Sequence, residues 1–166
     1  MYKLTDLIDK IIKIEELGAE LYIKKSEGLE GQENIKVLAK ALANQERKHV
    51  KIYEDFRDNI LNCEDIDVEF DIYDKASKLV YEFMHLSMSK EIHEVKDLLD
   101  LAIGFEKDYL ALVKRIRGLF VSEPNDMETN NYKLLTVIIS QEEEHVRDLE
   151  SVLKKININM WIKAFN

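Results

Sequence analysis

Two short motifs in the sequence combine a glutamate with a histidine three residues later. Glu46 precedes His49, and Glu142 precedes His145. On a helix, side chains three residues apart lie on one face, so the two side chains of each motif can reach the same point. Carboxylate oxygens and neutral imidazole nitrogens together suit Fe, Mn or Zn. One such motif is a weak signal, because glutamate and histidine are common on helix surfaces.

Two further glutamates lie in apolar stripes of helical spacing. The helical neighbours of Glu15 include Ile11 and Ile12, whereas the adjacent Glu16 falls on a charged face. Glu106 has apolar neighbours at the same spacings, and so do the glutamates of both motifs. The pattern therefore predicts that each of four helices places one carboxylate in the core.

Four buried carboxylates need a source of positive charge. An ionised carboxylate is costly in an apolar interior, and four at matching depth repel one another. The four stripes contain no lysine or arginine except near their ends, at Arg57 and Arg117. Two divalent cations would compensate this charge directly. We therefore predict a two-metal site with these ligands: Glu15, Glu46, His49, Glu106, Glu142 and His145.

The elements that must position these ligands are four long amphipathic segments, which we predict to be helices. Their expected limits are Thr5–Leu29, with Thr5 as N-cap, Gln32–Leu61, Glu94–Phe120 and Asn125–Ile156. A shorter helical pattern, Lys75–Ser89, lies in the connection between the second and third segments.

The first two segments also resemble the last two, as NQERKHVKIY and SQEEEHVRDL show. Two helix pairs joined by a long connection are typical of one bundle class. The sequence thus predicts an all-α, ferritin-like four-helix bundle with one long crossover connection that contains a short extra helix. Residues 1–166 are expected to form a single domain.

Composition narrows the possible partners and location. The net charge of −9 disfavours nucleic acid, because an acidic surface repels phosphate. One cysteine allows no internal disulfide, and no segment has the length or apolarity of a signal peptide or a membrane span. We expect a cytoplasmic protein that is not bound to a membrane.

The ligand segments resemble the rubrerythrin-like branch of the ferritin superfamily, in IEELGAELY, NQERKHVKIY, IGFEKDYLAL and IISQEEEHVRDLE. The resemblance implies two iron ions, although Mn or Zn also suits the ligands. It implies that Glu46 and Glu142 bridge the metals, and that Glu15, Glu106 and both histidines are terminal ligands. Tyr22 would donate a hydrogen bond to a ligand carboxylate.

The resemblance also implies a function, the reduction of hydrogen peroxide or dioxygen in oxidative-stress defence. Peroxidases of this branch carry a further glutamate where this chain has Tyr109, and they carry a rubredoxin domain that needs four cysteines. A separate rubredoxin-like electron donor is therefore expected, and a homodimer by analogy. Two alternatives use the same ligands: a ferroxidase or iron-storage protein, and a non-catalytic metal-binding module.

Overall fold

The computed structural model describes residues 2–27, 29, 31–61, 65–86 and 91–164, with the backbone alone at residues 61 and 159–164. Helices dominate the described residues, and the predicted all-α architecture is confirmed. The five α-helices are α1 (Leu4–Ser26), α2 (Glu33–Leu61), α3 (Phe70–Met84), α4 (Val95–Leu119) and α5 (Asn130–Ala164). A 3₁₀-helix covers Pro124–Glu128, and two short strands, β1 (Tyr2–Lys3) and β2 (Asp67–Val68), pair antiparallel.

Two helix pairs make up the bundle. Helix α1 packs mainly along α2, and α4 packs mainly along α5. Helix α3 lies in the connection between the two pairs and packs against α4 and α1. The arrangement confirms the predicted four-helix bundle with an extra helix in its long crossover. No described helix is both long enough and apolar enough to cross a membrane.

The start of α1 differs from the prediction, because a tertiary contact replaces the expected cap. The N-cap is Lys3 rather than Thr5, and the Asp6 carboxylate accepts the Lys3 backbone N–H at 2.9 Å. The Thr5 hydroxyl donates to the Asp65 carboxylate at 2.6 Å instead. Pairing of β1 with β2 fixes the chain here, since the Leu4 N–H donates to the Ile66 carbonyl at 2.9 Å. The helix also ends earlier than expected, at Ser26.

The crossover helix begins earlier than the predicted Lys75, at Phe70. Strand β2 ends just before it, and the Tyr73 ring stacks on Tyr2 with centroids 3.9 Å apart. This contact draws the first turn of α3 towards the N-terminus of the chain. The predicted end at Ser89 lies outside the described residues.

The last helix was predicted to start near Asn125, but that residue lies in the 3₁₀-helix. The Asp126 carboxylate accepts the backbone N–H groups of Ser122 and Glu123 at 2.7 and 2.8 Å, which closes a separate turn. Helix α5 follows from Asn130 and continues to Ala164, beyond the predicted Ile156.

The core is a continuous cluster of aliphatic and aromatic side chains from all the bundle helices. We expect Leu99→Ala, at a fully buried position of α4, to destabilise the fold by about 2–5 kcal/mol, because it removes packed methyl groups and leaves a cavity. Urea denaturation would measure the change. Val37→Ala is the control, since Val37 is 66 % exposed and should change stability by under about 0.5 kcal/mol. Equal effects of the two variants would contradict this assignment of the core.

Candidate metal centre

The six predicted ligand residues come together in the middle of the bundle. Glu15 lies on α1, Glu106 on α4, and each Glu-x-x-His motif on α2 or α5. None of the six is more than 8 % exposed. Their ligand-type atoms fall into three overlapping groups, each with its atoms within 4.8 Å of one another. The groups are Glu46–His49–His145, Glu15–His49–Glu142 and Glu106–Glu142–His145.

The two imidazoles lie between the carboxylates. The Nδ1 atom of His49 lies 3.4 Å from Glu15 Oε2 and 3.5 Å from Glu142 Oε1. The Nδ1 atom of His145 lies 3.7 Å from Glu106 Oε2. The two rings are perpendicular, with centroids 5.0 Å apart. Oxygen and nitrogen atoms therefore converge on a small volume from all four helices.

The donor atoms of the cluster fit a pair of metal ions. Nine side-chain O and N atoms of the six residues are buried without a hydrogen-bond partner among the described residues. In the same part of the chain, the ion-pair partners of the four glutamates are the two histidines alone. Buried polar groups are normally hydrogen-bonded, so these unpartnered atoms, which lie close together, suit the binding of cations.

Burial and mutual repulsion shift the acid–base properties of the cluster when no cation is bound. Burial, with the charges of Glu106 and Glu15, raises the pKa of Glu46 to about 12. Burial, with the charge of Glu15, raises the pKa of Glu142 to about 7. Without a metal, Glu46 would therefore keep its proton at neutral pH and Glu142 would be partly protonated, and a binding cation would displace these protons.

The histidines are shifted in opposite directions. Burial, together with the charge of His49, lowers the pKa of His145 to about 4. Burial also acts to lower the pKa of His49, but the carboxylates of Glu15 and Glu142 outweigh it, and the pKa is raised. His145 is thus a neutral imidazole at physiological pH, the form that binds a metal.

Buried tyrosines surround the carboxylates. The Tyr22 hydroxyl donates to Glu106 Oε1 at 2.8 Å, and the Tyr53 hydroxyl donates to Glu142 Oε1. Tyr109 is also fully buried, and its hydroxyl has no hydrogen-bond partner among the described residues. Tyr22 lies where the sequence predicted a donor to a ligand carboxylate, although its part in any reaction stays a prediction.

The sequence places Tyr53 beside a ligand, where a hydrogen bond to a carboxylate is a possible role, but it does not give Glu142 as the acceptor. Tyr53 follows Glu46 by seven residues, as Tyr22 follows Glu15, and this shared spacing was the available signal. Each phenol donates to a carboxylate on another helix. The acceptor therefore depends on how the helices pack, which the spacing alone does not give.

Comparisons with known proteins agree with this fold. No protein-family model matches the sequence, and no curated protein matches it. A solved structure from Thermotoga maritima, of a candidate ferritin-like diiron-carboxylate protein, is similar at a TM-score of 0.50 and 25 % identity. The similarity covers 92 % of this chain and 95 % of that one. The chain therefore has the ferritin-like fold, with a buried cluster suited to two metal ions.

The metal-free protein should lose stability as the pH rises from 5.5 to 8. A carboxyl pKa raised in the folded state favours folding at low pH, and this advantage disappears as the pH rises from the unfolded value, 4.5, through the folded value. The raised pKa of Glu142 alone should lower the free energy of unfolding by about 2 kcal/mol between pH 5.5 and pH 8. Urea denaturation in the presence of a chelator would measure it. Glu142→Gln should make the profile shallower but not flat, because the raised pKa of Glu46 remains. A flat wild-type profile would contradict the raised pKa values of both carboxyl groups.

Tyr53→Phe should weaken metal binding by about 10–100-fold, because the variant loses the hydrogen bond that orients the Glu142 carboxylate. Anaerobic titration with Co(II), followed by visible absorption, would measure the affinity. Tyr132→Phe is the control, since Tyr132 contacts Arg117 and not the cluster. Unchanged Co(II) affinity in Tyr53→Phe would show that this phenol does not support a ligand.

Proposed function

We propose that this chain is a di-iron oxidoreductase of the rubrerythrin-like kind, which reduces hydrogen peroxide or dioxygen. The observation that carries the proposal is the buried cluster of four glutamates and two histidines, with its nine unpartnered donor atoms. The fold likeness to a candidate diiron-carboxylate protein supports the same pair of metals.

The proposed ligand roles follow the resemblance and the position of each residue. Glu46 and Glu142 would bridge the two metals, and Glu15 and Glu106 would each bind one of them, together with His49 and His145. Two Fe(II) ions, when bound, would supply the two electrons that reduce one peroxide to two waters. Mn also suits these ligands, whereas Zn would bind without redox chemistry.

The protein's own residues would hold the ligands and exclude water. Tyr22 and Tyr53 fix two carboxylates through their hydroxyl hydrogen bonds, so these ligands are oriented before a metal arrives. Burial raises the pKa of Tyr109 far above its ordinary value, as does the charge of Glu15, so its hydroxyl keeps its proton. A protonated phenol beside the cluster could donate a hydrogen bond to a substrate molecule held there.

We propose that a rubredoxin-like protein donates the electrons, since the one cysteine in residues 1–166 cannot by itself bind a rubredoxin iron, which needs four thiolates. We further propose a homodimer in the cytoplasm. Native mass measurement would test the assembly: a closed shell of many subunits would favour iron storage, the alternative that uses the same ligands.

The function is tested by metal content and by rapid kinetics. Protein purified without chelators would be analysed for bound metal, loaded anaerobically with Fe(II), and mixed with H2O2 or O2 by stopped flow. Two irons per chain and fast oxidation by peroxide would support the proposal, and fast oxidation by O2 alone would favour a ferroxidase. Bound iron with no turnover would favour the non-catalytic module, for which the phenol at Tyr109 is the specific argument. A folded protein with no metal affinity would contradict all three.

Replacement of a ligand should remove metal and activity together. We expect His145→Ala to lower bound iron from about two to one or fewer per chain, and to slow peroxide-driven oxidation at least about 100-fold. Elemental analysis and stopped-flow absorption would measure both quantities. Glu144→Gln is the matched control, because Glu144 is adjacent in sequence but exposed. Full iron content and rate in His145→Ala would refute the ligand assignment.

A further inference from the structure

A surface pocket of about 480 Å³ opens between α1, the end of α3 and α4. Most of its lining is apolar, and the two charged residues of the lining among the described residues are lysines near the end of α1. Lys24 is exposed and Lys25 is half-buried. The lining residues are Leu17, Leu21, Lys24, Lys25, Phe83, Met84, Leu86 and Phe105.

The most buried residue of the pocket lining, Phe105, reaches the side of the metal cluster. Its ring packs edge-on against Tyr22 with centroids 6.2 Å apart, and it is only 5 % exposed. A Cβ atom placed on Gly18 would lie 3.0 Å from Phe105 Cε1 and 3.4 Å from Glu46 Cγ. Gly18 therefore lies next to a ring that lines the pocket and next to the side chain of a proposed ligand.

The four cluster carboxylates differ in their hydrogen bonds to tyrosines. Glu106 and Glu142 each accept a phenol hydrogen bond, and the charge of Glu15 acts on the Tyr109 hydroxyl. Neither carboxylate oxygen of Glu46 has a hydrogen-bond partner among the described residues. The same holds for both oxygens of Glu15, so the pocket adjoins one of the two cluster carboxylates that accept no hydrogen bond from the described residues.

We propose that this pocket binds an amphipathic carboxylate, a molecule with an apolar chain and one anionic head group. The apolar chain of the ligand would lie along Leu17, Leu21 and Phe83, with its end against Phe105. The head group would meet Lys24 and Lys25 at the rim. The whole protein carries a net charge of −9, so two adjacent lysines beside an apolar surface favour an anion at this place in particular.

The binding itself goes beyond the proposed redox function, because it requires neither oxidant nor reductant. Titration calorimetry with sodium decanoate, and separately with decylammonium chloride, tests it on the protein as purified. The two probes have the same chain and opposite head-group charges. Decanoate should bind, and decylammonium should bind at least about tenfold more weakly. No decanoate signal, or equal affinities for the two probes, would overturn the proposal.

Charge reversal tests the lysines without disturbing the core. The double variant Lys24→Glu, Lys25→Glu should weaken decanoate binding at least about tenfold. The control is Lys51→Glu, which changes an exposed residue of α2 outside the pocket and should leave the affinity within about twofold. Leu21→Gln, which changes the wall of the pocket, should weaken both probes. An unchanged affinity in the double-lysine variant would place the head group elsewhere.

A second measurement tests where the end of the decanoate alkyl chain lies. This measurement depends on the proposed metal site. Decanoate should shift the visible absorption of the Co(II)-loaded protein, since the bound chain contacts Phe105 beside Gly18 and Glu46. Binding by calorimetry with no spectral change would contradict this position. Because calorimetry does not depend on turnover, failure of decanoate binding and failure of peroxide reduction remain distinguishable.

Discussion

The mutual repulsion of four carboxylates inside an apolar core is the constraint on which this structure depends. The bundle brings Glu15, Glu46, Glu106 and Glu142 together although no lysine or arginine among the described residues pairs with them. Only protons or external cations can balance the charge. The raised pKa values of Glu46 and Glu142 correspond to neutralisation by protons. The carboxylate oxygens that have no hydrogen-bond partner among the described residues are suited to neutralisation by cations. The fold is therefore arranged around a charge that the chain itself does not neutralise.

Much of this site could be predicted because helical periodicity reports burial directly. Glu15 and Glu16 are adjacent in sequence, yet only the first shares a face with Ile11 and Ile12. The structure leaves Glu15 buried and Glu16 exposed. The same reasoning found the other three buried glutamates, and the repeated order of helices indicated which elements face one another.

The parts that could not be predicted depend on contacts between distant segments. Strands of two residues, such as Tyr2–Lys3, carry no periodic signal, and their pairing with Asp67–Val68 moved the start of α1. The stacking of Tyr73 on Tyr2 likewise belongs to the fold and not to either local sequence. The close approach at Gly18 is of the same kind, since its neighbours Phe105 and Glu46 come from two other helices.

The internal repeat has a consequence for how the two halves of the chain have diverged. The counterpart of Tyr22 in the second half is Val113, that of Tyr53 is Leu149, and that of Tyr109 is Gly18. If the repeat arose by duplication, selection kept the ligands in both copies and let their neighbours differ. Two copies of either half would contain four glutamates and two histidines at the ligand positions. Two copies of the first half would lack a counterpart of Tyr109, and two copies of the second half would lack counterparts of Tyr22 and Tyr53. Each half therefore supplies phenols that the other half lacks, although both halves supply the same types of ligand.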